Sequence, residues 1–150
     1  MSGMCVPVYC GRQGKNMDFL GAKLALFLGD QLLVIRRDDR ADIPFPNHLD
    51  LPGGGREGAE TPEACVLRET REEVGLVLTK DALVWGRRYV RPRGTAWFFA
   101  AHLGAESAGR VRFGDEEQGW SLMPPKAYTE HAEAVPHFRD HVADYLKTLG

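Results

Sequence analysis

The chain has 150 residues, 43% of them hydrophobic and 27% charged, which is the make-up of one soluble domain with a single core. A formal charge of −2 argues against nucleic acid or acidic lipid as a general partner, so an anionic ligand has to be held by local positive groups or by a metal. No stretch approaches the roughly 20 apolar residues of a membrane-spanning helix, and cysteines at 5, 10 and 65 without paired spacing support neither a disulfide framework nor a structural zinc site.

MSGMCVPVYCGRQGKNMD has no apolar h-region and no basic n-region, so residues 1–20 are expected to be an extended lead-in and 21–150 a single domain. The unpaired cysteines fit a reducing, cytoplasmic setting. Its GRQGK lacks the spacing of a phosphate-binding P-loop.

AKLALFL at 22–28 and QLLVIR at 31–36 flank Gly29-Asp30, a two-residue hairpin signal, and predict two antiparallel strands. RDDRADIPFPNHLD carries Pro44 and Pro46 and is expected to cross the surface as a loop, with LPGGG following as a glycine-rich turn. Thr61-Pro62-Glu63 is a helix start: Thr61 caps, Pro62 suits the first helical position, and Glu63 favours the positive end of the dipole. Gly75 ends that helix in the left-handed conformation. Leu83–Val90 and Trp97–Leu103 read as strands joined around Gly94, and Val111–Phe113 and Trp120–Met123 as short strand candidates around GDEEQG. Val135, Phe138, Val142, Tyr145, Leu146 and Leu149 recur at helical spacing and predict a C-terminal amphipathic helix on the sheet. Strands flanking one helix, with a second helix at the end, suggest an α/β sandwich on a mixed sheet.

The helix Pro62–Val74 carries an unusual crowding of charge. Glu69, Glu72 and Glu73 are spaced i, i+3, i+4 and share one face, while Val66, Leu67, Thr70 and Val74 lie on the neighbouring face and are free to bury against the sheet. Like charges one turn apart destabilise an exposed helix by a few tenths of a kcal/mol, and by more where water is scarce. Arg68 can pair with Glu72, yet one guanidinium does not neutralise three carboxylates. A hard divalent cation does, and the alternative is a solvated acidic face. Gly53, Gly54 and Gly55, just upstream, leave room for backbone to approach a metal or a phosphate. Mg²⁺ or Mn²⁺ is the cofactor these features favour.

From Gly54 to Leu76 the chain reads Gly54, Glu60, Arg68, Glu69, Thr70, Glu72, Glu73, Gly75, Leu76. This resembles the signature of the Nudix hydrolases, related to the MutT group: G-x5-E-x7-R-E-U-x-E-E-x-G-U, with U a bulky apolar residue. Only Thr70 departs, at a position usually aliphatic, and the expected effect is on helix packing. LDLPGGG at 49–55 is also like the approach to that motif. The resemblance implies an α/β/α sandwich with a mixed sheet and hydrolysis of a nucleoside diphosphate linked to another moiety, X, by a monomer or homodimer acting on a small nucleotide. It implies Glu69, Glu72 and Glu73 as metal ligands or as the group that activates water, the Gly53 carbonyl as a further ligand, Arg68 as the residue that orients the glutamates, and Glu60 in a supporting place. An extra acid from a later loop falls on Glu116, with Glu117 as its alternative.

Arg87, Arg88, Arg91 and Arg93 in GRRYVRPRG fit either a solvated hairpin or a phosphate-holding one. Trp85, Tyr89, Trp97 and Phe98 fit the core better than a base stack. Two further readings are an RNA 5′-end pyrophosphohydrolase using those arginines and a noncatalytic nucleotide sensor. The intact carboxylate set argues against the sensor.

Overall fold

In the computed structural model, which describes residues 18–113 and 119–150, β1 (Gly21–Leu28) is buried on both of its faces. Its side chains alternate between two cores: Leu24, Leu26 and Leu28 go to one, Ala25 and Phe27 to the other. A strand covered on both sides has no need of a polar stripe, which is why AKLALFL reads as an almost unbroken apolar run.

β2 (Gln31–Arg36) follows the expected hairpin but pairs with β1 only at Phe27↔Leu32 and Leu28↔Gln31. Its far end, Ile35–Arg36, pairs instead with β3 (Leu49–Asp50), and its other edge pairs with β7 (Gly119–Met123) from Leu32 to Arg36. This divergence frees the first half of the same β1 edge for β4 (Gly53–Gly55), in the register Lys23↔Gly53, Ala22↔Gly54 and Gly21↔Gly55. The other edge of β1 pairs in parallel with β6 (Gly94–Leu103), which is antiparallel to β5 (Leu83–Arg91). The sheet is therefore mixed.

Helix α1 (Pro62–Val74) covers one face, burying Cys65, Val66 and Val74 in the core that holds Leu24 and Phe99. The short α2 (Pro125–Thr129) and the terminal α3 (Pro136–Thr148) cover the other, where Tyr128, Phe138, Val142 and Tyr145 pack with Phe27 and Phe98. The result is the α/β/α sandwich expected. Among the described residues no helix is long and apolar enough to cross a membrane.

Several expectations need correction. LPGGG is not a turn: its glycines form β4, because a chain without Cβ atoms fits against β1 where a larger residue collides. At Gly53, whose φ is 132°, an added Cβ runs into the Ala22 carbonyl and the Lys23 Cα. Val111–Phe113 is not a strand, since the Arg112 N–H is spent on the Val74 carbonyl at the end of α1. β6 begins at Gly94, three residues before Trp97, so the β5–β6 turn is tighter than expected. Leu149 lies past the end of α3 and is exposed, while the other apolar positions of the stripe pack on the sheet.

Candidate active site

Helix α1 forms where its caps place it. The Thr61 hydroxyl accepts from the Ala64 N–H at 3.1 Å, Pro62 fills the first position, and Gly75 closes the end at φ 73° with its N–H on the Arg71 carbonyl. The apolar side anchors it, and the adjoining side brings the carboxylates to β4. Thr70 occupies a fully buried position and its hydroxyl has no partner among the described residues, a desolvation cost on the order of 1–3 kcal/mol.

Arg68 organises the acidic side. Its Nε and Nη2 donate to the two oxygens of Glu60 at 2.6 and 3.1 Å, its Nη1 donates to Glu69 and Glu72 at 3.1 Å each, and its Nη2 also reaches the Gly55 carbonyl at 2.9 Å. Glu72 is thus only one of Arg68's partners, and Glu60, eight residues upstream, takes the bidentate fork. That fork holds the Glu60 carboxyl below its usual range and raises the guanidinium's pKa. Glu69 is tucked in at 16% side-chain exposure, whereas Glu72 remains half exposed at 51%. Glu69 also explains the second glycine of β4: a Cβ on Gly54 falls 2.6 Å from the Glu69 carboxyl carbon.

Glu73 points the other way along the helix side, and its Oε1 accepts from the Gly53 N–H at 2.9 Å. Burial pushes its carboxyl up to about 8, helped by Asp50 and Glu69 and opposed by Lys23 and the Gly53 N–H. The Gly53 carbonyl is engaged from the other face of the sheet, by a side chain of the neighbouring strand β1. Lys23 Nζ donates to it at 3.1 Å and to the Leu51 carbonyl and Asp50 Oδ2 at the same distance. Asp50, itself buried, also receives Arg37 Nε and the Leu51 N–H.

A divalent metal is implied by the resemblance. The available donors are carboxylates and a backbone carbonyl, all hard oxygens, and Gly54 leaves the space beside Glu69 that a Cβ would fill. A carbonyl has two lone pairs, so Lys23 leaves one on Gly53. In chemistry these residues fit Mg²⁺ or Mn²⁺. Among the described residues no three His, Cys, Asp or Glu side chains converge as a metal cluster, because Arg68 draws Glu69 and Glu72 together while Glu73 turns to Gly53. Glu116 and Glu117 lie outside the described residues.

Beside β4 opens a cavity of about 270 Å³, reached from Gly54, Gly55 and Lys23 and walled by Tyr89, Trp97, Phe98, Phe138 and His141 among others. Trp85 is not part of it: that ring packs in the core against Phe98 and Tyr145. The arginine hairpin is split. Arg91 lines the cavity, Arg87 pairs with Asp144 at 3.6 Å, and Arg88 and Arg93 are exposed. His137 and His141 also line the cavity, and burial together with Arg91 pushes each down to about 4.

The residues that sequence reasoning missed are Lys23, Asp50 and His141. Lys23 and Asp50 each carried a signal, being charges set inside apolar runs, AKLAL and LDLP. Their meeting across the sheet edge did not.

A family model described as NUDIX domain matches residues 19–145. A curated relative from Escherichia coli K12, named 8-oxo-dGTP diphosphatase, is 38% identical over 72 residues, covering 47% of this chain and 54% of the relative. One from Rhodospirillum rubrum, named RNA pyrophosphohydrolase, is 31% identical over 112 residues, 73% of this chain and 55% of the relative. The chain spans about half the length of these curated relatives. A bifunctional NMN adenylyltransferase/ADP-ribose pyrophosphatase from Francisella tularensis, solved with AMP and a Mn ion, shares the fold with a TM-score of 0.68 at 18% identity, over 89% of this chain and 42% of that one. The signature at 54–76 runs from β4 through α1, and with the family model covering 19–145 the chain belongs to the NUDIX family.

Proposed function

We propose that the chain is a metal-dependent pyrophosphohydrolase that cleaves a nucleoside diphosphate linked to a further group by attack of water on phosphorus. The observation that carries this reading is the meeting at β4 of two features: the Arg68-ordered carboxylates of α1 and an aromatic cavity that opens beside Gly54 and Gly55. A diphosphate lying along β4 has carboxylates on one side and a ring-sized space on the other.

Glu69, Glu72, Glu73 and the Gly53 carbonyl are the groups that would hold Mg²⁺ or Mn²⁺, with Glu116 as a further candidate acid. When bound, such an ion neutralises the diphosphate, lowers the pKa of water and favours ionised carboxyls. Glu73 accepts the proton of the attacking water. Its Oε1 is fixed by the Gly53 N–H, which leaves Oε2 for the water, and a positioned carboxylate of this kind contributes roughly 10²–10⁴-fold as a general base. Arg68 fixes the rotamers of Glu69 and Glu72 and is a positioning residue. Lys23 holds the Gly53 carbonyl and so fixes β4 against β1, while the Gly53 N–H ties β4 to Glu73 of α1. Residues 21–150 act as one domain in this reading.

The test is phosphate and pyrophosphate release, with Mg²⁺ or Mn²⁺, from a panel of nucleoside triphosphates, dinucleoside polyphosphates and nucleotide sugars. Cleavage of none of them overturns the proposal. Action on RNA 5′ ends is the second reading, supported by the Rhodospirillum rubrum relative and by the exposed Arg88 and Arg93. It requires a steep salt dependence of RNA binding.

A further inference from the structure

The far wall of the cavity is built by β5, β6 and α3, and its polar groups are unevenly matched. Tyr89 and His141 lie flat on one another, with centroids 3.6 Å apart and planes 18° apart, and Phe98 meets His141 edge-on at 5.2 Å. Phe138 lies 5.6 Å beneath the Lys23 ammonium. These rings shape a space for a flat apolar body.

The side-chain donors differ in how they are used. Lys23 has three protons, and Asp50, Leu51 and Gly53 take them. Tyr89 gives its hydroxyl proton to Asp144 at 2.8 Å. Arg91 makes one hydrogen bond, from Nη2 to His141 Nε2 at 2.7 Å, and forms no ion pair among the described residues. A guanidinium only donates, so Nε2 accepts and Nδ1 carries the imidazole proton. That N–H is closed to solvent and meets no acceptor among the described residues. Among the described residues no carboxylate, amide or aliphatic hydroxyl side chain lines the cavity. Its side chains thus include no anion, and the one with protons to spare for an incoming acceptor is a half-buried cation, Arg91, whose fork is mostly unspent.

A guanidinium fork matches two adjacent acceptors in one plane, as on the O6/N7 edge of a 6-oxo purine. An adenine presents an amino group there and sets donor against donor. We infer that the cavity takes a 6-oxo purine ring with its O6/N7 edge on Arg91, and that His141 is the positioning residue that holds the fork. This deepens the hydrolase reading and rests on its placement of the substrate beside β4. A phosphoryl oxygen offers Arg91 the same acceptor chemistry, and the experiment separates the two sources.

Inosine and adenosine 5′-monophosphates share the phosphate and differ at C6, so their binding to the full chain without added metal, read from tryptophan fluorescence, is independent of catalysis. The inosine form is expected to bind roughly tenfold or more tightly, the scale of one charge-assisted hydrogen bond. Arg91→Met brings the ratio close to one, Arg91→Lys leaves an intermediate ratio, and His141→Phe lowers the ratio while the stack with Tyr89 is kept. Equal binding of the two nucleotides by the unaltered chain overturns the inference. So does an equal loss for both in Arg91→Met together with weakened binding of inorganic tripolyphosphate, which assigns Arg91 to phosphate. A ratio that persists and collapses with Arg91, in a chain that hydrolyses nothing, sinks the hydrolase reading and leaves this one standing.

Discussion

The two faces of the sheet solve different electrostatic problems. On the α1 face, four carboxylates, those of Glu60, Glu69, Glu72 and Glu73, are held by Arg68 and the Gly53 N–H, and the surplus is negative. On the α3 face, Arg91 stands among aromatic rings with a neutral histidine as its one hydrogen-bonded side chain among the described residues, and the surplus is positive. The first arrangement calls for a cation and the second for acceptors. A nucleotide whose phosphates bring their own metal satisfies both at once, and neither face alone specifies it.

Substitutions that act on one face and spare the other test this separation. The largest effect is expected for Glu73→Gln, a loss of about 2–4 kcal/mol of transition-state stabilisation, the scale of removing one electrostatic stabiliser. Nucleotide binding by fluorescence should stay near that of the parent, and a variant with full turnover would falsify the base assignment. Arg68→Met is expected next, with a stability loss of about 2 kcal/mol in urea unfolding. That sits below the 3–5 kcal/mol of a fully buried pair because water screens part of it, and the loss should shrink when Glu60→Gln is combined with it. Thr70→Val removes a buried hydroxyl that has no partner among the described residues and should stabilise the chain by roughly 1 kcal/mol, with turnover unchanged. A Thr70→Val chain that unfolds more readily would show that the hydroxyl is used.

The smallest effect near neutrality belongs to the α3 face. Unfolded histidine titrates near 6.5, whereas burial and Arg91 keep folded His141 neutral down to about 4. The unfolded chain thus binds more protons between these values, and stability is full above pH 6.5 and falls as the pH drops toward 4. Thermal unfolding across that window should show the decline, and His141→Phe should flatten it. His137 shares the window and burial shifts His102 the same way, so an equally steep decline in His141→Phe would move the effect to these two.

The legibility of these two faces in the sequence differs for a physical reason. Thr61, Pro62 and Gly75 bound α1 by local chemistry, and i, i+3, i+4 spacing puts Glu69, Glu72 and Glu73 on one side of it, so that half of the site follows from neighbours in the chain. The Glu60–Arg68 fork depends on how the loop before α1 folds back, and spacing alone pointed to Glu72. The α3 face joins Lys23, Arg91 and His141 from three distant elements. Their meeting is fixed by β1–β6–β5 pairing and the seating of α3, which no local pattern encodes. Arg91 looked like one of four hairpin arginines because inward and outward positions on a strand alternate one by one.

The Gly53 residue is gripped on both faces of the sheet, its N–H by Glu73 of α1 and its C=O by Lys23 of β1. One short piece of backbone is in this way the common reference for the group proposed to activate water and for the space proposed to receive a ring. Recognition and cleavage are separable parts set to a shared origin. Residues on the α3 side can be exchanged to suit another ring without resetting the carboxylates, whereas a change of length in β4 would disturb both together.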